Sequence, residues 1–337
     1  MDSVTQALLG AAVGQATLGR TIGRRALLWG AMCGTLPDLD VLVPFADPVA
    51  DFTYHRSASH SVLVLTALTP VVAWLATRVH PDTRDQHRRW LAMVWLAFVT
   101  HILLDCFTVY GTQILWPLSS YPVGWSTVFI IDPAYTVPLA LGVLCALVAG
   151  ARARVGRVAN AVGLGLGCAY LAWTVGAKAY VERAVRAGLA AQGLPSEHVL
   201  TTPAPFNTLL WRFVAMDDDG YYEGYRSVLD RDAEIHANRY PSRADLVAPL
   251  AGHWPVERLR WFTKGFYAVT LEDEAVVMSD LRMGVEPDYV FRFAVGAVGN
   301  PHPRPVPAAR VAPTRDLSRL EWLWARIWRQ MPEPARR

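Results

Sequence analysis

Hydrophobic positions follow two rhythms along the chain. Up to about residue 180 they form long, scarcely interrupted blocks, whereas beyond Leu200 they come in short runs divided by turn residues. A bilayer core of roughly 30 Å takes about 20 apolar helical residues. The blocks 61–77, 134–151 and 158–177 approach that length without a charge and predict three firm spans. Block 90–104 is as apolar but shorter, with His101 near its end and Asp105 just beyond. Blocks 4–18 and 26–36 are short and rich in Gly and Ala, which favours close helix approach and leaves their full crossing open. The first 18 residues lack a basic leader and an A-x-A pattern, so they read as a retained helix.

The later runs LLWRFVAM, YYEGYRSVL, RWFTKGFYAVTLE, DEAVVMSDLRMG and YVFRFAVG predict an antiparallel meander. Asp217, Asp218, Asp219 and Gly220 lack the ordered spacing of a calcium loop and predict a hairpin turn. The aromatic residues of this half suit a packed core, or a cover over a site in the membrane unit. A Pro-rich linker is expected over 301–313. After it, 317–330 places Leu320, Trp324, Ile327 and Trp328 near helical spacing, in a helix that lies in the membrane interface or docks on the sheet. The expected fold is an α-helical integral membrane bundle of about six hydrophobic helices, some short, followed by a mainly antiparallel β domain. The expected boundaries are 1–180, 181–300 and 301–337.

Composition sharpens this division. With 53% hydrophobic and 18% charged residues and a mean hydropathy of +0.21, the chain is too apolar for a simple soluble protein. Residues 1–180 hold 12 of the 32 Lys/Arg and 9 of the 29 Asp/Glu, leaving 20 of each for the remainder. A net charge of +3 without a basic run gives no reason to expect nucleic acid. The four cysteines form no C-x-x-C pair and read as small buried hydrophobes. Arginines follow alternate blocks, at 20, 24 and 25, at 78, 84, 88 and 89, and at 152, 154 and 157. The positive-inside rule then places the acid-bearing loops and the polar half outside, in a multi-pass protein of a bacterial-type inner membrane.

Those outer loops carry the chemistry. Asp38 and Asp40 follow the second block, His55 and His60 open the third, His101 and Asp105 close the fourth, and Asp132 precedes the fifth. Ionisable groups at membrane depth are costly unless they pair, line a wet cavity or bind a metal. His101 and Asp105 stand at i and i+4, on one helix face. Asp38 and Asp40, two apart in an extended turn, would point to one side. His55 and His60 reach one centre only if the intervening turn folds back, with Ser59 as a helix cap. Each pair alone has ordinary structural explanations; together, at one membrane level, they favour a metal site.

The strings MDSVTQALLGAAVG, GTLPDLD, HRSASHS, THILLDCFTVYGTQILWP and FIIDPAYTVPL resemble, in order and spacing, the YdjM-type family of inner-membrane metal-dependent hydrolases. The resemblance covers about residues 1–180, and FNTLLWR, DDGYYEGY and RWFTKGFYA look like a branch with an extra C-terminal domain. It implies a hydrolase and says little of substrate; kinship with zinc-dependent phospholipase C is an analogy from the helical H-x-x-x-D pair. Many relatives carry histidine where Gln6 stands. That leaves either one ligand fewer or a glutamine holding substrate or water. In HRSASHS, Ser57 and Ser59 replace the family's Gly and Thr, and both histidines remain.

Asp38, Asp40, His55, His60, His101 and Asp105 are therefore the expected ligands of one or two divalent ions, zinc first, with manganese or iron as alternatives. Asp132 is the candidate general base or outer acceptor. Arg56 would neutralise a phosphate oxygen or touch a lipid headgroup. Tyr110, Thr112 and Gln113 would bond substrate or satisfy a buried loop backbone. A bound ion lowers the pKa of its water from ~15.7 toward ~7, so the expectation is hydrolysis of a phosphoester or another lipid-linked amphiphile at the outer headgroup level. A non-enzymatic proton or ion pathway, or a metal-stabilised scaffold, is the alternative. Oligomeric state does not follow from the sequence.

Overall fold

A computed structural model describes residues 1–231, 234–312 and 319–329 and divides them into two compact units. The first comprises 1–43, 56–174 and 205–207; the second comprises 44–55, 175–204 and the residues from 208 onward. An α-helical N-terminal region precedes a C-terminal antiparallel β domain, as the hydrophobic rhythms predict.

The helical unit contains α1 (Ser3–Ile22), α2 (Arg25–Thr35), α4 (Val62–Val79), α5 (His87–Cys106), α6 (Pro133–Ala149) and the first part of α7 (Arg154–Ala191); α3 (Pro48–Tyr54) belongs to the other unit. Among the described residues, three helical stretches are long and apolar enough to cross a membrane: Val62–Val79, Pro81–Cys106 and Arg154–Ala191. Helix α5, prefaced by a 3-10 turn, thus outruns the predicted block 90–104, and α6 is a shorter apolar helix of 17 residues. Asp2 caps α1 through the amides of Val4 and Thr5. Ser61, rather than the expected Ser59, caps α4 through those of Leu63 and Val64.

Helices α1 and α2 meet along a seam of glycines. A Cβ on Gly10 or Gly14 would collide with the carbonyl oxygen of Gly30 or Ala26, and one on Gly34 with that of Gln6. Only small residues permit this approach, which explains the Gly/Ala bias of both blocks. Helix α5 supplies the centre of the unit, with Trp90, Met93, Val94 and Phe98 fully buried. The α1–α2 turn, the turn before α5 and the α6–α7 turn converge at one end, where Arg24, Arg25, Asp82 and Arg152 line a shared cleft. Three of the arginine-bearing connections therefore share a face, as the alternation of charge requires.

The second unit contains two four-stranded antiparallel sheets. One has the order β1 (Val199–Pro203), β2 (Leu210–Asp217), β3 (Gly220–Ser227), β4 (Ala237–Pro241). After α8 (Trp254–Phe262), the other joins β5 (Tyr267–Glu272), β6 (Ala275–Asp280), β9 (Arg292–Ala297) and β10 (Arg304–Arg310), with a small ladder of β7 (Gly284–Val285) and β8 (Asp288–Tyr289) between. The expected hairpin is present, with Asp217 paired to Gly220 across Asp218 and Asp219. The stretch read as a linker instead contains β10. Its prolines are tolerated because it is an edge strand, with a register break between Pro305 and Ala309. Pro313, Leu317, Ser318 and Gln330, at the bounds of the predicted linker and terminal helix, lie outside the described residues.

Helix α7 is continuous for 38 residues, about 57 Å at 1.5 Å per residue. Its later turns bury Ala177, Val181, Val185 and Leu189, four apart, against Trp211, Phe213 and Ala215 of the first sheet. Helix α3 also packs within this unit: Phe52 stacks on Phe291 at 4.3 Å, and Arg258 lies 4.5 Å over Tyr54. The terminal helix α9 (Arg319–Trp328) docks here through Leu323 and Ile327, and Arg326 donates to Asp230 at 2.8 and 2.9 Å. Deep in the unit Arg212 pairs with Glu223, and the Tyr289 hydroxyl donates to Glu223 at 2.8 Å.

Candidate metal centre

Four side chains from three segments of the helical unit converge. The α5 face spacing brings His101 and Asp105 together, with Nε2 of His101 3.4 Å from Oδ2 of Asp105. His60, on a 3-10 turn just before α4, sets its Nε2 3.2 Å from that of His101 and 3.2 Å from Asp105 Oδ2. Asp38, on the 3-10 turn that continues α2, places Oδ1 3.4 Å from His60 and 3.6 Å from His101. Among the described residues this is the one group with metal-ligand chemistry, its donor atoms all within 4.8 Å of one another.

The partners behind these residues decide which atoms face inward. Nδ1 of His101 lies 2.7 Å from the Gly34 carbonyl oxygen, which can only accept, so Nδ1 carries a proton and donates. The Ser59 hydroxyl donates to Asp40 at 2.6 Å, which leaves its oxygen to accept from His60 Nδ1 at 2.9 Å. Both imidazoles thereby turn Nε2 toward the centre. Asp105 is fixed likewise: its Oδ1 accepts from Gln6 Nε2 at 3.0 Å and from the Met1 α-amine, and lies 3.4 Å from Arg56. Oδ2 of Asp38 is buried without a hydrogen-bond partner, and Oδ2 of Asp105 faces only the two imidazoles.

This arrangement fits a divalent cation. Four ligands at 2.0–2.1 Å around a tetrahedral ion stand about 3.3 Å from one another; the five separations above run from 3.2 to 3.6 Å. Two carboxylates and two imidazole lone pairs also present negative potential with no hydrogen at its focus. Burial opposes charge on Asp38, but the His60 hydrogen bond and nearby His101 outweigh it and hold the carboxyl below its usual range. Burial likewise opposes a charged His60, yet hydrogen bonds to Asp105 and Asp38 prevail and raise the pKa of the imidazole. The pocket thus favours positive charge at its centre.

The remaining predicted residues take other places. Asp40 is outside the group of four, because residues i and i+2 of a 3-10 helix point about 120° apart instead of together as in an extended turn. It accepts from Ser59 and from the Arg56 amide at 2.9 Å. His55 is also outside the group: it ends α3 and belongs to the β-rich unit. Arg56, buried and in a left-handed conformation (φ 62°), reaches Thr108 Oγ1 at 3.3 Å and lies 5.2 Å over the Tyr110 ring. Thr112 exchanges backbone hydrogen bonds with Val123, and the Gln113 amide donates to the Arg56 carbonyl, so both hold the loop. Gln6 is fully buried beside Asp105 with its Oε1 unpartnered. Asp132 caps α6 through Ala134 and accepts from the Tyr170 hydroxyl at 2.8 Å. Burial pushes its carboxyl pKa up, against the bonds from Tyr170 and the α6 amides. Gly34 is an orienting residue that sequence reasoning missed, and Ser59, expected as a helix cap, orients His60 instead; a hydroxyl and a carbonyl carry no spacing signal.

A profile of the family described as YdjM inner membrane protein matches residues 1–181. A Bacillus subtilis (strain 168) protein described as the uncharacterized protein YfhP is 31% identical over 143 residues, which is 40% of this chain. The match spans 42% of that relative's length. No solved structure matches the chain.

Proposed function

The chain belongs to the YdjM inner membrane protein family, and from that premise we propose that it is a membrane-bound metal-dependent hydrolase. Its substrate would be a phosphoester or other lipid-linked amphiphile at the outer headgroup level. The observation that carries this reading is the pair of Nε2 atoms facing each other at 3.2 Å between two carboxylates. Asp38, His60, His101 and Asp105 would hold one ion, of which zinc is the first candidate for an N2O2 set and manganese or iron the next. When bound, such an ion supplies Lewis acidity and brings water into reactive range near neutral pH.

The chain's own residues supply the rest. Arg56, whose Nε is buried without a partner, offers an N–H to a phosphoryl oxygen beside Asp105. Gln6 Oε1 offers an acceptor for a water on the same side. Asp132, with its raised pKa, is the candidate proton carrier. The charge alternation supports an extracytoplasmic site and C-terminal domain. Purification in mild detergent with metal analysis tests the reading. The wild type should hold about one ion per chain, His101→Ala none, and Asp132→Ala should keep the ion with reduced zinc-dependent hydrolysis of phosphoester vesicles. A wild type without metal and without zinc- or manganese-dependent hydrolysis sinks it; bound metal with no hydrolysis favours the scaffold.

A further inference from the structure

Of the four ligand residues only Asp38 keeps access to the outside, with 15% of its side chain exposed, while His60, His101 and Asp105 stand at 0–1%. Asp38 is carried by the 36–42 turn, so the exposed edge of the centre lies at that turn. That turn shows aliphatic side chains outward: Leu39, Val41 and Leu42 are 52%, 72% and 73% exposed. The 36–42 turn is held to the 56–59 segment through Asp40, and the long loop after α5 is held to the same stretch of chain, through Gln113 to Arg56 and through Ile114 to the first residue of α4. It presents Leu118 at 81% and Ile131 at 47%. A mouth built for water-borne substrates would be polar, because apolar surface left in water costs roughly 25 cal/mol per Å².

The apolar surface does not end at the loops. Ile131 leads within two residues into α6, where Val137, Leu141, Leu144 and Val148 recur at helical spacing, all more than half exposed. An outward aliphatic stripe on a helix of this family faces lipid. The apolar surface of the loop after α5 runs on into that stripe.

We propose that the 36–42 turn and the loop following α5 form an apolar collar immersed in the leaflet opposite the arginine-rich turns. The metal centre is then entered sideways from the bilayer, past Asp38, by an amphiphile whose chains stay in the leaflet. This substrate class rests on the hydrolase reading; the immersion of the collar does not.

The test uses the full chain in phosphatidylcholine/phosphatidylglycerol vesicles, with Cys145 and Cys168 replaced by serine. An environment-sensitive fluorophore is attached through Leu42→Cys or Leu118→Cys, and through Asp218→Cys on the β2–β3 turn as the control. Both collar probes should be quenched by lipids carrying doxyl groups, at a depth of about 5–10 Å, and shielded from aqueous iodide. The Asp218 probe should show the reverse. Collar probes as open to iodide as the control overturn the proposal. In zinc-loaded protein, a membrane-soluble phenanthroline should strip the ion about tenfold faster than aqueous EDTA, the ratio given by 1.4 kcal/mol of preference; equal rates overturn sideways entry. A protein that holds no metal and hydrolyses with neither zinc nor manganese would refute the hydrolase reading alone, since the depth measurement stands without it.

Discussion

Two buried polar clusters invite comparison, one in each unit. In the β-rich unit Arg212 meets Glu223, and a further bond from Arg212 goes to the Leu281 carbonyl at 2.8 Å. Cation and anion are matched one to one, and the charge is neutralised within the protein. In the helical unit Asp38, His60, His101 and Asp105 bring acceptors together, with Oδ2 of Asp38 unpartnered and Oδ2 of Asp105 facing only the two imidazoles. Arg56 and the Met1 amine stand only behind Asp105. The first cluster neutralises its charge within the protein and leaves only a donor, Arg212 Nε, unpartnered, whereas the second gathers acceptors that a cation would join. Depth of burial does not separate them; the balance of donors and acceptors does.

The largest effect should come from Asp105→Ala, which removes the oxygen shared by both histidines and frees the groups behind it. Metal analysis should find no bound ion, and retained stoichiometric metal would break the contrast. Glu223→Ala comes next. It strands a buried guanidinium and should cost about 3–5 kcal/mol in unfolding experiments, with metal content unchanged in the folded fraction. Ser59→Ala removes the acceptor behind His60 together with the donor to Asp40, and metal titration should show about 10–100-fold weaker binding.

Smaller and opposite in sign with and without metal is the pH effect. In metal-free protein the raised pKa of His60 contributes stability that is full below the unfolded value of about 6.5 and is lost as pH rises through the folded one. Metal needs the same imidazole unprotonated, so affinity should fall as pH drops through that folded value, with proton release on binding. Thermal melts with and without zinc should diverge as pH rises. Least of all, Arg25→Ala, in an exposed pair with Asp82 at 2.9 Å, should change stability by no more than about 1 kcal/mol.

Spacing made part of this legible in the sequence. His101 and Asp105 could be read as neighbours because four residues make one helical turn, and the strands because their apolar runs are short and bounded by turns. The Asp38/Asp40 geometry was misjudged because D-x-D says nothing of whether the backbone is extended or 3-10. His55 looked equivalent to His60 because sequence does not reveal that α3 leaves the helical unit for the β-rich one. The strand in 304–310 was hidden by its prolines, which are informative only once the edge of a sheet is known.

The glycine seam has a consequence for how variants of this protein would be interpreted. Gly34 contributes its carbonyl to His101 and its missing side chain to the packing of α1, so one residue joins the helix spacing to the imidazole's orientation. A bulky replacement there would mimic the loss of one of the four clustered side chains, and a genetic screen would score it as a lesion of the site although all four were intact.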